Sequence, residues 1–169
     1  MSNDRRVVII DEKQTTREGL AVLVDDADGF QCCGTFDSIE TALVKIEPQN
    51  TDFVLVDIGV PGLSRIKNLS FLVLSVYEDD DRIFEALCAG ASGYLLKNTS
   101  PAQLLEGLKE AVNGGATMSP EIAGRIIKFF REIRPSENQL TSLETRLLTL
   151  LVEGLNYKTA ATELGLSAN

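Results

Sequence analysis

The sequence predicts an α/β fold, a parallel sheet with helices packed on both faces, and three observations predict it. Short runs that are apolar at every position alternate with segments whose apolar residues recur at helical spacing. The connections 11–29, 36–52 and 76–92 are long enough to hold a crossover helix. Four of the five runs stop at a polar residue: Asp11, Asp57, Ser75 or Lys97. Strands apolar on both faces are those of a sheet covered twice, which is where parallel strands occur.

Val7-Val8-Ile9-Ile10 is the first strand and ends at Asp11-Glu12; Leu20, Leu23, Val24 and Ala27 then mark one helical face. Phe30 to Thr35 is the second strand, followed by a helix from Ser38 to Glu47 with Ser38 as its N-cap. Phe53-Val54-Leu55-Val56 runs to Asp57, and Phe71-Leu72-Val73-Leu74 to Ser75. Asp80 to Ala89 reads as a helix, and Gly93-Tyr94-Leu95-Leu96 as a fifth strand ending at Lys97. Ser100-Pro101 opens the next helix, with proline in the first turn, and its apolar face is Leu104, Leu105, Leu108, Ala111 and Val112. Five such units suit a flavodoxin-like doubly wound five-stranded parallel sheet, whose ligand site lies at the carboxyl ends of the strands.

One crossover is short. Between the third and fourth runs, a loop through Gly59-Val60-Pro61-Gly62 leaves only Ser64 to Leu69 for a helix. That is roughly 9 Å at about 1.5 Å per residue, against a return path of roughly 16 Å for a five-residue strand. Either the crossover is a stub, or residues are missing near Ser64–Arg65 and Ser70–Phe71; the arithmetic favours missing residues.

After Gly114-Gly115, Ser119 to about Phe130 is helical, and the polar stretch 131–139 with Pro135 reads as a linker. A helix capped by Thr141 or Ser142 carries Leu143, Leu147, Leu150 and Leu151 to Gly154, and a second runs from Tyr157 to Leu164. Two short helices with a tight glycine turn match the first part of a helix-turn-helix. The expected organisation is an α/β domain over 1–116, a linker helix and linker over 117–139, and a small all-α fragment over 140–169.

Composition narrows the chemistry. Of 169 residues, 44% are hydrophobic and 24% charged, which excludes a disordered chain. No apolar run approaches the roughly 20 residues of a membrane span, and Asp11 and Glu12 interrupt the first apolar run too early for a signal peptide. A cytoplasmic protein is expected, with Cys32, Cys33 and Cys88 as small core residues in a reducing compartment. The chain contains no histidine, which excludes His-based acid–base catalysis and His-ligated zinc within it. A net charge of −9 disfavours phosphate-backbone binding by the bulk of the chain.

In this fold Asp11 with Glu12, Asp57, Ser75 and Lys97 reach one rim. Any one of them alone reads as a solvated loop residue; together they read as a site. Crowded carboxylates repel unless a cation sits among them, and hard oxygen donors favour Mg²⁺. Asp57 then serves as an ionised nucleophile able to form an aspartyl phosphate, with Lys97 and Ser75 as cation and donor for phosphoryl oxygens.

The chain here resembles the NarL/FixJ-type response regulators of two-component signalling, a receiver domain followed by a LuxR-type helix-turn-helix. The residues that carry the resemblance are Val-Val-Ile-Ile-Asp11-Glu12, Leu55-Val56-Asp57-Ile58-Gly59-Val60-Pro61-Gly62, Leu74-Ser75-Val76 and Gly90-Ala-Ser-Gly93-Tyr94-Leu-Leu-Lys97. In the tail, Leu140-Thr-Ser-Leu-Glu144 and Glu153-Gly-Leu-Asn-Tyr-Lys158 onward look like the family's opening helices. The resemblance implies Asp57 as phosphoacceptor; Asp11, Glu12, Asp57 and the Gly59 carbonyl around Mg²⁺; and Ser75, Tyr94 and Lys97 as switch and phosphoryl-binding residues. Ser75 stands where threonine is commoner. On phosphorylation, Ser75 would be drawn inward and Tyr94 would turn into the space that opens.

The resemblance also implies a partner histidine kinase as phosphoryl source, which makes sense of the missing histidine. It implies DNA binding by the full-length protein, a phosphorylation-dependent homodimer, and no turnover on a small substrate. The recognition helix would begin after Ser167, and 135–169 sets Arg146 and Lys158 against four glutamates, so the stretch up to Asn169 is expected to bind DNA poorly. Two other readings compete: a receiver gating a partner without DNA, and an aspartate-nucleophile phosphatase. The phosphatase needs a second acid two residues after the nucleophile, where Gly59 stands.

Overall fold

The computed structural model describes residues 4–76 and 80–132, together with 149, 150 and 152. Within them, six strands form one sheet in the order β2-β1-β3-β4-β5-β6, every neighbouring pair parallel. The strands are β1 (Arg5–Ile10), β2 (Phe30–Phe36), β3 (Phe53–Asp57), β4 (Ser70–Ser75), β5 (Gly93–Leu96) and β6 (Thr117–Met118). The helices are α1 (Gln14–Asp25), α2 (Ile39–Lys45), α3 (Asp80–Cys88), α4 (Pro101–Val112) and α5 (Pro120–Glu132). Ser38 caps α2 by accepting from the Thr41 N–H, and Ser100 with Gln103 forms a capping box before Pro101 on α4.

The fully apolar strands are explained by two cores, one on each face. Val7, Ile9, Phe53, Leu55, Leu72, Leu74 and Leu95 pack with Val24 of α1 and with Leu104, Leu108 and Ala111 of α4. Their neighbours in sequence, Val8, Ile10, Val54, Val56, Phe71, Val73, Tyr94 and Leu96, pack with Ile39, Ala42, Ile83, Ala86 and Ile122 of α2, α3 and α5. Alternate residues thus point to opposite faces, and both faces are dry.

The sheet has six strands where five were expected. Thr117–Met118 spans only two residues, too few for a periodicity to show. Its place is legible afterwards in Gly93: a Cβ there would lie 2.2 Å from the Thr117 carbonyl oxygen, so only glycine lets the backbones meet.

In this structure the short crossover is a stub. A single 3-10 turn, Leu63–Arg65, follows Gly62 in the left-handed conformation (φ +97°). Elsewhere the path is non-helical, and extended chain covers about 3.3 Å per residue, roughly double the helical rise. Val60 and Ile66 are buried, and Leu63 and Leu69 pack against the same core, doing the work of a helix's apolar face. An open groove of about 760 Å³ remains between residues 58–64 and α3.

The helix expected in the linker is built into this domain as α5. Ile122 is wholly buried, Phe84 of α3 meets Phe129 with ring centroids 4.9 Å apart, and Arg125 pairs with Asp80 at 3.2 Å. Two cysteines depart from expectation, since Cys33 and Cys88 are exposed rather than in the core. The β1–β2 register slips between Val7, opposite Cys32, and Val8, opposite Gly34, so Cys33 is bulged out. Partial desolvation pushes all three thiols up, so they stay protonated. Of the helix expected over 142–154 only residues 149, 150 and 152 are described, all of them helical, and the helix expected over 157–164 lies outside the described residues. Among the described residues no helix is long and apolar enough to cross a membrane.

Candidate functional site

The rim is assembled by backbone bonds that continue the sheet past its strand ends. The Asp11 N–H donates to the Phe36 carbonyl at 3.0 Å, the Ile58 N–H to Leu74 at 3.0 Å, and the Lys97 N–H to Ser75 at 2.7 Å. β1 and β3 are neighbours while β2 turns back on the other side, so Asp11 and Asp57 flank the crevice where the strand order reverses.

Three of the expected residues come together there. The Lys97 ammonium donates to Asp11 Oδ2, and to Asp57 Oδ1 at 2.8 Å. Asp11 is 2% exposed, and its other oxygen accepts the Lys13 N–H at 2.8 Å. Asp57 Oδ2 accepts the Gly59 N–H at 3.0 Å. Desolvation works against the charge on Lys97, but hydrogen bonds and attraction from both carboxylates outweigh it and hold its pKa above the ordinary lysine value.

Gly59 is glycine for a local reason. A Cβ at that position would lie 2.6 Å from Asp57 Oδ2, so a side chain there would displace the carboxylate. The second acid that a phosphatase would need at this position is absent.

Ser75 and Tyr94 are both wholly buried, on the adjacent strands β4 and β5. Tyr94 is packed among the core residues shared with α3 and α5, so its ring is already inside in this structure. Glu12 is exposed, and among the described residues no three acids or cysteines gather into a group that could hold a metal. The cation between Asp11 and Asp57 here is Lys97. One participant went unnoticed in the sequence: Arg17 of α1, whose Nη1 donates to the carbonyls of Asp11 at 2.6 Å and Glu12 at 2.9 Å. Its sole signal was an arginine in a helical first turn.

Residues 7–109 match the family model described as the response regulator receiver domain. The transcriptional regulatory protein YdfI of Bacillus subtilis is 31% identical over 96% of this chain and 82% of its own length. The nitrate/nitrite response regulator NarL of Escherichia coli is 28% identical, over 99% of this chain and 85% of that protein. That alignment runs over 183 positions against a chain of 169 residues, so the relative has residues where this chain has gaps. Among solved structures, the response regulator ChrA of a heme-sensing two-component system superposes with a TM-score of 0.62 at 27% identity, covering 98% of this chain and 83% of that one.

Proposed function

We propose, from the premise that the chain belongs to the response regulator receiver family and is a two-component regulator of transcription, that Asp57 is its phosphoacceptor. The observation that carries this is the single ammonium of Lys97 held between two carboxylates, Asp11 and Asp57, at the carboxyl edge of the sheet. One cation in direct contact with two carboxylates leaves that pair short of positive charge.

Receiver domains generally use Mg²⁺ at this edge, and the donor set here fits it. Asp11 and Asp57 already share one cation, and all their donor atoms are hard oxygens. Asp11, Asp57 and the Gly59 carbonyl would hold the ion, with Glu12 from the adjoining turn. When bound, Mg²⁺ would offset the negative charge that otherwise opposes approach of a phosphoryl group.

An Asp57 carboxylate oxygen forms the new P–O bond as the P–N bond to a phosphohistidine of the partner kinase breaks. The electron pair leaves on the imidazole nitrogen. The Gly59 N–H steadies the carboxylate during attack, and Lys97 exchanges a carboxylate contact for a phosphoryl oxygen. The added charge of about −1.5 to −2 draws the Ser75 hydroxyl toward it. Tyr94, packed between Ser75's strand and the helices α3 and α5, passes the shift outward. A dimer surface responds and, in the full-length protein, so does the DNA-binding domain whose opening helices lie in 140–169, in a cytoplasmic protein that does not turn over a small substrate.

Incubation with a small phosphodonor and Mg²⁺, followed by intact mass, tests the assignment. One acid-stable, base-labile adduct is expected, absent from Asp57→Ala. An adduct that persists in the variant moves the acceptor elsewhere, and multiple turnover of phosphate esters would replace this reading with the phosphatase.

A further inference from the structure

The turn that joins β1 to α1 presents Asp11 and Glu12, and it is closed from outside by Arg17. The guanidinium reaches back from the fourth residue of α1, and one of its nitrogens serves two successive carbonyls, those of Asp11 and Glu12. Side chains on a helix lean toward its N-terminus, which is what lets a residue at this position cover the preceding turn.

The helix itself gains nothing from a cation there. The opening turn of a helix is its positive end, where acids stabilise and bases do not. α1 has no acid in its first turn, and its N-cap, Lys13, supplies no side-chain cap. The hydrogen bonds that offset the placement all lead to the loop that bears the acids.

We propose that Arg17 is a positioning residue for the cation site. Two carbonyls fixed by one guanidinium define the peptide planes on either side of Glu12, and hence the direction in which its side chain leaves the backbone. Besides its contact with Lys97 at Oδ2, Asp11 is then held by Arg17 at its carbonyl and by the Lys13 N–H at Oδ1. The positive charge lies against carbonyl oxygens and not against the carboxylates. It lowers the repulsion between the acids without itself occupying their carboxylate oxygens. This inference rests on the reading of the rim as a Mg²⁺ site.

Calorimetric titration of Mg²⁺ into the whole protein tests it, with thermal midpoints recorded alongside. Arg17→Ala is expected to weaken Mg²⁺ binding roughly tenfold, the loss typical of residues that orient metal ligands. Arg17→Lys, which keeps the charge and part of the reach, should fall between it and the parent. Phosphorylation of Arg17→Ala should slow at limiting Mg²⁺ and recover as Mg²⁺ is raised. If the variant melts earlier and its Mg²⁺ isotherm is unmoved, Arg17 merely braces the fold and the inference fails. If Arg17→Ala does not fold, Arg17→Lys decides alone, and binding identical to the parent overturns the proposal. A parent protein that binds no Mg²⁺ would instead defeat the reading beneath it.

Discussion

Two groups of charge sit at opposite ends of β1 and β3, and they are balanced differently. At the amino end, Arg6 and Asp52 are one cation and one anion. Asp52 Oδ2 accepts the Arg6 backbone N–H at 2.8 Å and its Nε at 3.0 Å, and the guanidinium also reaches Asn50 and the Gln49 carbonyl. These side chains are 34% and 28% exposed. At the carboxyl end, Lys97 serves two carboxylates, and Lys97 and Asp57 are only 17% and 15% exposed. The first group is closed, with its charge matched and its donors spent on its own segment. The second is left one positive charge short where little water can compensate, which is the condition of a site that takes up a cation.

The largest effect that separates the two belongs to Lys97. Lys97→Met leaves two carboxylates facing each other, and a loss of about 2 kcal/mol in urea unfolding is expected, below the roughly 3–5 kcal/mol of fully buried pairs. Millimolar Mg²⁺ should restore part of it. Because the partners raise the Lys97 pKa above 10.5, its contribution is complete below that pH. It disappears as pH rises through the folded value, so the gap between parent and variant should close only in strong alkali. A gap unaffected by Mg²⁺ would mean that the rim, like the Arg6 pair, is only structural.

Asp57→Asn acts in the opposite sense. It removes one of the two anions that share Lys97, and a gain of about 1 kcal/mol is expected, the usual relation between function and stability at a strained site. A loss of that size would show that the rim's charge was already balanced. The smallest effect is that of Asp52→Asn. Arg6 holds the Asp52 carboxyl below its ordinary value of 3.8, so the pair stabilises the fold above that pH and ceases to as pH falls through the folded value. Parent and Asp52→Asn should therefore differ slightly in melting temperature at neutral pH and converge in acid. Mg²⁺ should not change either one's difference.

The sheet was legible because strands buried on both faces leave continuous apolar runs, and each run's last residue marks where the rim lies. Asp11, Asp57 and Lys97 followed from that alone, since topology brings strand ends together whatever the side chains prefer. Three features were not legible, each for its own reason. Thr117–Met118 is too short to carry a pattern, and its trace is the bare backbone of Gly93. Between β3 and β4 the spacing marked a short crossover without showing what covers the sheet there; Val60, Leu63, Ile66 and Leu69 do so from non-helical chain. Cys33 leaves the core because a register slip, invisible in composition, bulges it outward. Which cation sits between the acids was also beyond spacing, because Lys97 and Mg²⁺ suit the same oxygens.

The most direct test is a Mg²⁺ titration followed through backbone amide resonances. Saturable shifts are expected at Asp11, Glu12, Lys13 and Gly59 and at Lys97, with the amides of Arg6 and Asp52 still, and the response should be much weaker in Asp57→Asn. Shifts spread along the acidic surface without saturation, or an unchanged response in Asp57→Asn, would contradict the claim that this rim is built to accept a second cation.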